Sequence, residues 1–362
     1  MGCGELAQAA VPPILTLMTS SLPTYLSEGV TLAPYTTLHL GGPARYFATC
    51  STLETLRSAL TWADDMHLDV HVLGGGSNVV FADEGFGGLV LKIDLQGVQF
   101  DAQTARVAAG EDWDHFVAQC VKRGLAGVEC LSGIPGQVGA TPIQNVGAYG
   151  QEVRETITSV RAIDRNSLQE VEFTRAECDF SYRHSRFKGP DADRFIITEV
   201  RYALREDGRP HLRYAELEQA VEMRQTAGPD ALNAVRTAVL ALRSGKSMVV
   251  APDDPNSRSA GSFFVNPVLS PEQFITLQQQ AEDAPSFPEA GGVKVPAAWL
   301  VERAGFAKGY RRGGVGVSQR HALALVNYDG STHQLLELAA DIQREVEAQF
   351  SIRLEREPVV VS

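Results

Sequence analysis

The sequence is short of positive charge: 32 Lys and Arg stand against 44 Asp and Glu, a formal net charge of −12 with histidines neutral. A chain that displaces counterions from a phosphate backbone carries the opposite surplus, so nucleic acid is excluded as the expected partner. Long hydrophobic runs are also missing. Although 44% of residues are hydrophobic, none gather into the roughly 20 apolar positions that a membrane-spanning helix requires, and no membrane partner is expected. No Lys or Arg precedes Arg45, and the apolar stretch near the start is broken by Pro12 and Pro13. The charged beginning of a secretory leader is therefore absent, and residues 1–24 read as a flexible extension with Met18 as an alternative start. The five cysteines (Cys3, Cys50, Cys120, Cys130, Cys178) are scattered and never fall in a CxxC or Cys/His spacing. Reduced thiols, no metal and a cytoplasmic setting follow as expectations.

What is present suits a globular chain with several cores, because 362 residues is two to three times the ~150-residue prior for one domain. STLETLRSALTWADDMH, from Ser51, reads as an amphipathic helix with Ser51 and Glu54 spaced as a capping box. VHVLGGGSNVVF follows as strand, glycine turn, strand, because Val79, Val80 and Phe81 favour extended structure and no helix signal comes after the glycines. GGLVLKIDL reads as another strand. RVAAGEDWDHFVAQCVKRG reads as a strand and a helix stopped by Gly124. ITSVRAIDR and FIITEVRYAL are further strands, and helical patterns cover 215–226 and 231–243. Beyond a polar break, Ser270 and Pro271 open a helix, and a long one near 333–350 aligns Leu335, Ala339, Ile342, Val346 and Phe350. IRLEREPVVVS ends the pattern as a strand candidate.

Four segments could carry chemistry. Gly74, Gly75, Gly76, Ser77 and Asn78 begin like a dinucleotide fingerprint, but Val79 stands where the third glycine belongs. That leaves a hairpin turn and an anion nest as equal readings. GIPGQVGATPIQNVGAYG, residues 133–150, has five glycines and no charge. Such a loop can lay backbone N–H groups against a diphosphate or a flavin ring, and the carboxamides of Gln144 and Asn145 would need partners there. SYRHSRFKG concentrates Arg183, His184, Arg186 and Lys188 in an acidic chain, as a solvated turn or as a fork for an anionic substrate. Ser262 lies between Gly261 and Phe263 without the G-x-S-x-G setting of a nucleophile.

Taken in order, TTLHLGGPARYF, LGGGSNVVF, GIPGQVGATPIQNVGAYG, CDFSYRHSRFKG, AGSFFVNP, KVPAAWLVERAGFAKG and LEREP resemble the UDP-N-acetylenolpyruvoylglucosamine reductases, the MurB family, from about Tyr35 to Glu357. The resemblance implies an α+β fold with a two-lobed FAD-binding domain of the p-cresol methylhydroxylase/vanillyl-alcohol oxidase type. In it lobe 1 spans 25–94, lobe 2 spans 95–244, an α/β substrate-binding domain spans 245–350, and a strand over 351–362 returns Glu357 to the active site. It implies non-covalent FAD, NADPH as co-substrate and reduction of UDP-N-acetylglucosamine enolpyruvate to UDP-N-acetylmuramate by a monomer. Ser262 matches the proton donor, and Arg183 and Glu357 the pair that stabilises the enol-like intermediate. Cofactor contacts are implied at Gly74–Asn78 and at Gly133, Ile134, Pro135, Gly136, Gly139, Ala140, Gln144, Asn145, Gly147, Ala148 and Tyr149. Substrate contacts are implied at Tyr182, Tyr214, Lys246, Asn266, Lys294 and His321, the last where some relatives carry glutamine. Trp299 and Leu300 read as core packing. With anionic substrates, the basic residues Arg183, Lys246 and Lys294 should lie together.

Overall fold

The computed structural model describes residues 22–221 and 225–362. Most of the proposed extension, with Met18 and Cys3, lies outside the described residues, as do three residues of the 215–226 pattern. The first sheet has the order β1-β2-β5-β3, from β1 (Leu26–Thr31), β2 (Pro43–Cys50), β3 (Val70–Leu73) and β5 (Phe86–Ile93), while β4 (Val79–Phe81) stands apart. Helix α1 (Leu53–Asp65) buries Leu56, Ala59, Leu60 and Ala63 beneath this sheet. Its N-cap is Thr52, whose hydroxyl accepts from the Thr55 amide at 3.0 Å. The capping box expected from Ser51 and Glu54 does not form; a single cap one residue later takes its place, since threonine and serine cap alike and the backbone decides which is extended.

The second sheet is antiparallel, in the order β11-β10-β12-β7-β6, from β6 (Val98–Asp101), β7 (Thr104–Ala108), β10 (Ile157–Asp164), β11 (Glu170–Thr174) and β12 (Phe195–Ala203). Between β7 and β10 run helix α2 (Trp113–Lys122), the 133–150 loop and the two-residue strands β8 (Gly147–Ala148) and β9 (Gln151–Glu152). Gly124 does end α2, at φ +72°. The apolar sides of the two sheets, α1 and α2 share one core containing Leu89, Leu91, Trp113, Phe116 and Tyr202.

Helices α3 (Ala215–Ala220) and α4 (Pro229–Gly245) lead to a second core. There β13 (Ser259–Ser262), β17 (Arg311–Arg312), β18 (Val315–Val317) and β19 (Ala324–Asn327) form the sheet β13-β19-β18-β17. A small sheet joins β14 (Val268–Leu269), β15 (Phe287–Glu289) and β16 (Gly292–Lys294), and helices α5 (Pro271–Gln280), α6 (Ala297–Arg303) and α7 (Thr332–Phe350) complete the part. Ser270 caps α5 reciprocally with Gln273, and α7 buries Leu335, Ala339, Ile342 and Val346. Leu300 is fully buried and Trp299 packs on Phe350, as core residues should.

Among the contacts that join the halves, two involve the longest helix and the last strand. Asp83 accepts from the amides of Thr332 and His333 at 2.8 and 2.9 Å, so a carboxylate of the first half caps the longest helix of the second. Strand β20 (Val359–Val361) pairs in parallel with β4, Val359 opposite Val79 and Val361 opposite Phe81. This corrects two expectations. The strands around Gly74–Gly76 do not form a hairpin, because β3 pairs with β5 and β4 with β20. Of IRLEREPVVVS only the last valines are extended in a sheet; among the described residues the earlier part is held beside Phe263–Val265 through one isolated bridge, Phe264 with Arg356.

Candidate active site

The glycine turn after β3 and the 133–150 loop press against each other through backbone. A Cβ on Gly75 would stand 2.6 Å from Gly136 Cα and 3.3 Å from Gln137 N, so only glycine allows the approach. Ser77 Oγ donates to Pro135 O at 3.0 Å, and Asn78 Nδ2 donates to Gln144 Oε1 at 3.2 Å and to Glu357 O at 3.3 Å. Among the described residues nothing accepts from the amides of Gly75, Gly76, Ser77, Asn78, Gly136 or Gln137. Six N–H groups without an acceptor thus lie on two segments in backbone contact, an arrangement that suits an anion nest built without ion pairs.

The rest of the loop is committed to the protein. Asn145 is fully buried, donates to Glu152 Oε2 and Ser181 O at 2.9 Å each and accepts from Arg154 N at 3.2 Å. Its carboxamide, expected to need a cofactor, is satisfied internally. The Gly133 amide goes to Asp114 Oδ1 at 2.6 Å, the Gly139 amide to Ala109 O at 2.9 Å and the Ala140 amide to Gln137 O at 3.1 Å. Gly147 and Ala148 pair with Gln151 and Glu152, leaving Gly147 O to receive Arg183 Nη2 at 3.0 Å.

Beside this nest the tail and β13 set the charged residues. Register slips along β13 between Ser259, opposite Val326, and Ser262, opposite Ala324, and Gly261 takes φ +73° at the bulge. Phe263 N donates to Leu323 O at 2.8 Å while Phe263 O accepts from Glu357 N at 2.9 Å, so the backbone carrying Ser262 also carries Glu357 alongside it. Arg183, itself at φ +51°, points Nε to 3.4 Å from Glu357 Oε1. Burial pushes the Glu357 carboxyl upward, against the opposing pull of Arg183 and Lys188.

The expected substrate residues fall on two sides. Tyr182 carries the Lys294 ammonium 4.8 Å and the Arg183 guanidinium 5.9 Å from its ring centre, and Asn266 Nδ2 reaches Tyr182 Oη at 3.5 Å while Asn266 Oδ1 holds the Ala297 amide. Lys246, which caps α4, lies with Tyr149, Tyr214 and His321. Tyr214 sets its ring edge-on to Tyr149 at 5.5 Å, and His321 is pushed down to about 4 by burial and by the cations Lys246, Arg243 and Lys308. Burial lowers Arg243 from its ordinary value, against the opposing pull of Tyr149 and Asp114 and with Arg183 adding to the lowering. Each of the three expected substrate cations has a carboxylate at hand: Arg183 with Glu357, Lys246 with Glu216 at 2.8 Å and Lys294 with Glu289 at 2.6 Å.

A family model for the C-terminal domain of UDP-N-acetylenolpyruvoylglucosamine reductase matches residues 253–361, and one for an FAD binding domain matches residues 44–169. The UDP-N-acetylenolpyruvoylglucosamine reductase of Streptomyces coelicolor is 46% identical over 341 residues, covering 91% of this chain and 88% of that one. That of Thermobifida fusca is 45% identical over 354 residues, covering 93% and 98%. The chain belongs to the UDP-N-acetylenolpyruvoylglucosamine reductase family. The crystal structure of the MurB reductase from Thermus caldophilus superposes with a TM-score of 0.65 at 26% identity, over 92% of this chain and 98% of that one. The family makes this chain an FAD-dependent oxidoreductase of peptidoglycan precursor synthesis, on the α+β fold expected.

The residues present fit an FAD. The unspent amides of the nest suit a diphosphate, and the buried Gln137 Oε1, facing the Gly74 side of the nest, has no donor among the described residues. Gln137, Arg243, Asp114 and Arg236 were not singled out from the sequence. Arg243 had left a trace there, since it follows the buried Val239 by four and so places a charge on the apolar stripe of α4. Among the described residues four cysteines are buried and unpaired, and burial pushes the thiols of Cys50 and Cys178 up to about 12. No helix among the described residues is long and apolar enough to cross a membrane.

Proposed function

We propose that the chain reduces the enolpyruvyl group of UDP-N-acetylglucosamine enolpyruvate to UDP-N-acetylmuramate, with NADPH as electron source, as a cytoplasmic monomer. The division into lobes 25–94 and 95–244, a domain over 245–350 and a returning strand over 351–362 is part of this reading. The observation that carries it is the adjacency of Ser262 and Glu357 on neighbouring backbone, with Arg183 Nε 3.4 Å from the Glu357 carboxyl. The amides of Gly75–Asn78, Gly136 and Gln137 would hold FAD, which when bound would supply hydride transfer between NADPH and the methylene carbon of the enolpyruvyl group.

Hydride arriving at that carbon drives electron density onto the carbon bearing the carboxylate. Arg183 and a neutral Glu357 would hold that carboxylate by hydrogen bonds that strengthen as charge develops. Serine is a weak acid, so Ser262 gives its proton only to a strongly basic carbon in a site cleared of water, and water restores the hydroxyl afterwards. Lys246, His321 and Tyr214 would face the UDP diphosphate and sugar, and Lys294, Asn266 and Tyr182 the opposite end. His321, being neutral, can donate one hydrogen bond to a phosphate without adding charge.

Anaerobic stopped-flow absorbance tests this. NADPH should bleach the flavin and the enolpyruvyl sugar should restore its colour. The Ser262→Ala variant should keep the bleaching step and slow recolouring by about 100-fold or more. Reoxidation by oxygen with no response to the sugar would sink the assignment, and equal slowing of both halves would remove Ser262 from its role.

A further inference from the structure

The segment TTLHLGGPARYF opens the resemblance, yet no residue of it has a place in the proposed chemistry. Thr37, its second residue, stands between the glycine turn and the strand that carries Ser262. The Thr37 amide donates to Gly76 O at 3.0 Å. The Thr37 hydroxyl donates to Ser259 O at 2.6 Å and lies 3.5 Å from Gly76 O. A hydroxyl has one proton to give, so the shorter contact to Ser259 takes it and Gly76 O is left to the amide.

Ser259 is the root of the bulge that carries Ser262. Strand β13 is the edge of its sheet, and Arg258 O, one residue before Ser259, accepts from Asn327 N on β19 at 3.0 Å. Successive carbonyls of a strand point to opposite sides, so Ser259 O faces away from β19, on the side where the sheet ends. Beyond it, the three steps from Ser259 to Ser262 run against the two steps from Val326 to Ala324, and Ser259 Oγ accepts from Gly261 N at 3.3 Å within that slip. The Thr37 bond therefore fixes the carbonyl from which the bulge departs. Asn327 secures the same segment from β19, donating through Nδ2 to the buried Leu38 O at 3.0 Å. A bulge re-aims the side chains beyond its first residue, so freeing that residue frees the aim of Ser262. Proton delivery tolerates little error of aim, since a misplacement of about 1 Å can slow a reaction about 100-fold.

We propose that Thr37 is a positioning residue for proton delivery: its hydroxyl ties the root of the β13 bulge to the glycine turn and so holds Ser262 at a fixed place relative to the nest. This rests on the reductase reading above, in which Ser262 gives the proton. The role is exercised through Ser259, not by contact with a reacting atom. Because the bond to Gly76 O comes from the backbone amide, loss of the hydroxyl should leave the nest intact and release the serine strand alone.

The test is anaerobic stopped-flow absorbance of the holoenzyme carrying Thr37→Val, which keeps the shape and loses the hydroxyl, or Thr37→Ser, which keeps the hydroxyl. Thr37→Val should be bleached by NADPH within about twofold of the wild-type rate and recoloured by the enolpyruvyl sugar about tenfold more slowly or worse. Its solvent deuterium isotope effect on recolouring should exceed that of wild type, because the proton now arrives later than the hydride. FAD affinity, measured by flavin fluorescence, should be unchanged. Thr37→Ser should restore both the rate and the isotope effect. Equal slowing of bleaching and recolouring, an unchanged isotope effect, or no recovery with serine overturns the proposal. If Thr37→Val does not fold, Thr37→Ala is read by the same ratio of the two steps. If the sugar fails to recolour the wild type, the reductase reading falls first and takes this role with it.

Discussion

The two sides of the proposed site hold anions by different means. The nest around Gly75 and Gly136 uses backbone amides, carries no formal charge and depends on the absence of side-chain volume. The cations use side chains instead, Arg183 and Lys294 around Tyr182 and Lys246 apart from them beside Tyr214, each with a carboxyl group that an incoming ligand must replace or share. A backbone nest cannot change protonation state and tolerates almost no added atom; a side-chain cluster tolerates changes of volume but responds to pH and to each lost charge. A cofactor that stays bound suits the first, and two substrates that must come and go suit the second.

The largest effect should come from volume on the backbone side. Gly75→Ala drives a Cβ into Gly136, and overpacking of this kind costs about 2–3 kcal/mol. FAD affinity, measured by flavin fluorescence, should fall by about 30- to 100-fold. Gly87, with nothing within 4 Å of its added Cβ, is the control and should accept alanine with affinity unchanged. If the two variants bind FAD alike, the nest is not the cofactor site.

Lys246→Ala should act on the other side alone, raising KM for the enolpyruvyl sugar by about tenfold through loss of one charged contact, with FAD affinity preserved. An equal loss of FAD would erase the distinction between the two sides.

The smallest expected effect is on stability. Glu357 has its folded pKa raised by burial, so the folded chain favours its proton. The resulting stabilisation is fully present below the ordinary carboxylate range and is lost as pH rises through the raised value. Glu357→Gln removes this dependence, so urea midpoints of variant and wild type should diverge in favour of the variant from mildly acid to neutral pH. A constant difference across that range would mean that Glu357 titrates as an exposed carboxyl.

Local signals in the sequence located what is locally determined. The Ser270–Pro271 start, the Gly124 stop and the apolar face of α7 each depend on residues within a turn or two. Strand partners do not: nothing in VHVLGGGSNVVF says that its second half pairs with Val359–Val361 rather than with its first. The glycine turn at Gly74–Asn78 was legible as a hairpin or an anion nest alike, and which amides are free was not legible, because Asp114, Ala109 and Glu152 take up several of those in the 133–150 loop from elsewhere in the chain. Ser262, Arg183 and Glu357 were recognisable only by resemblance. Spacing alone placed no serine beside a carboxyl that lies far along the chain, and the contact between them rests on the Phe263–Glu357 backbone bond.

The pairing of β20 with β4 orders events during synthesis. Every other residue of the charged cluster is synthesised before Glu357 and the valines behind it, so the first core, all of whose residues precede α4 or lie within it, can collapse while the site is still open along that edge. Insertion of three residues beside β4 then completes the site. Until that moment the backbone nest has all of its residues, and the proposed active site lacks Glu357.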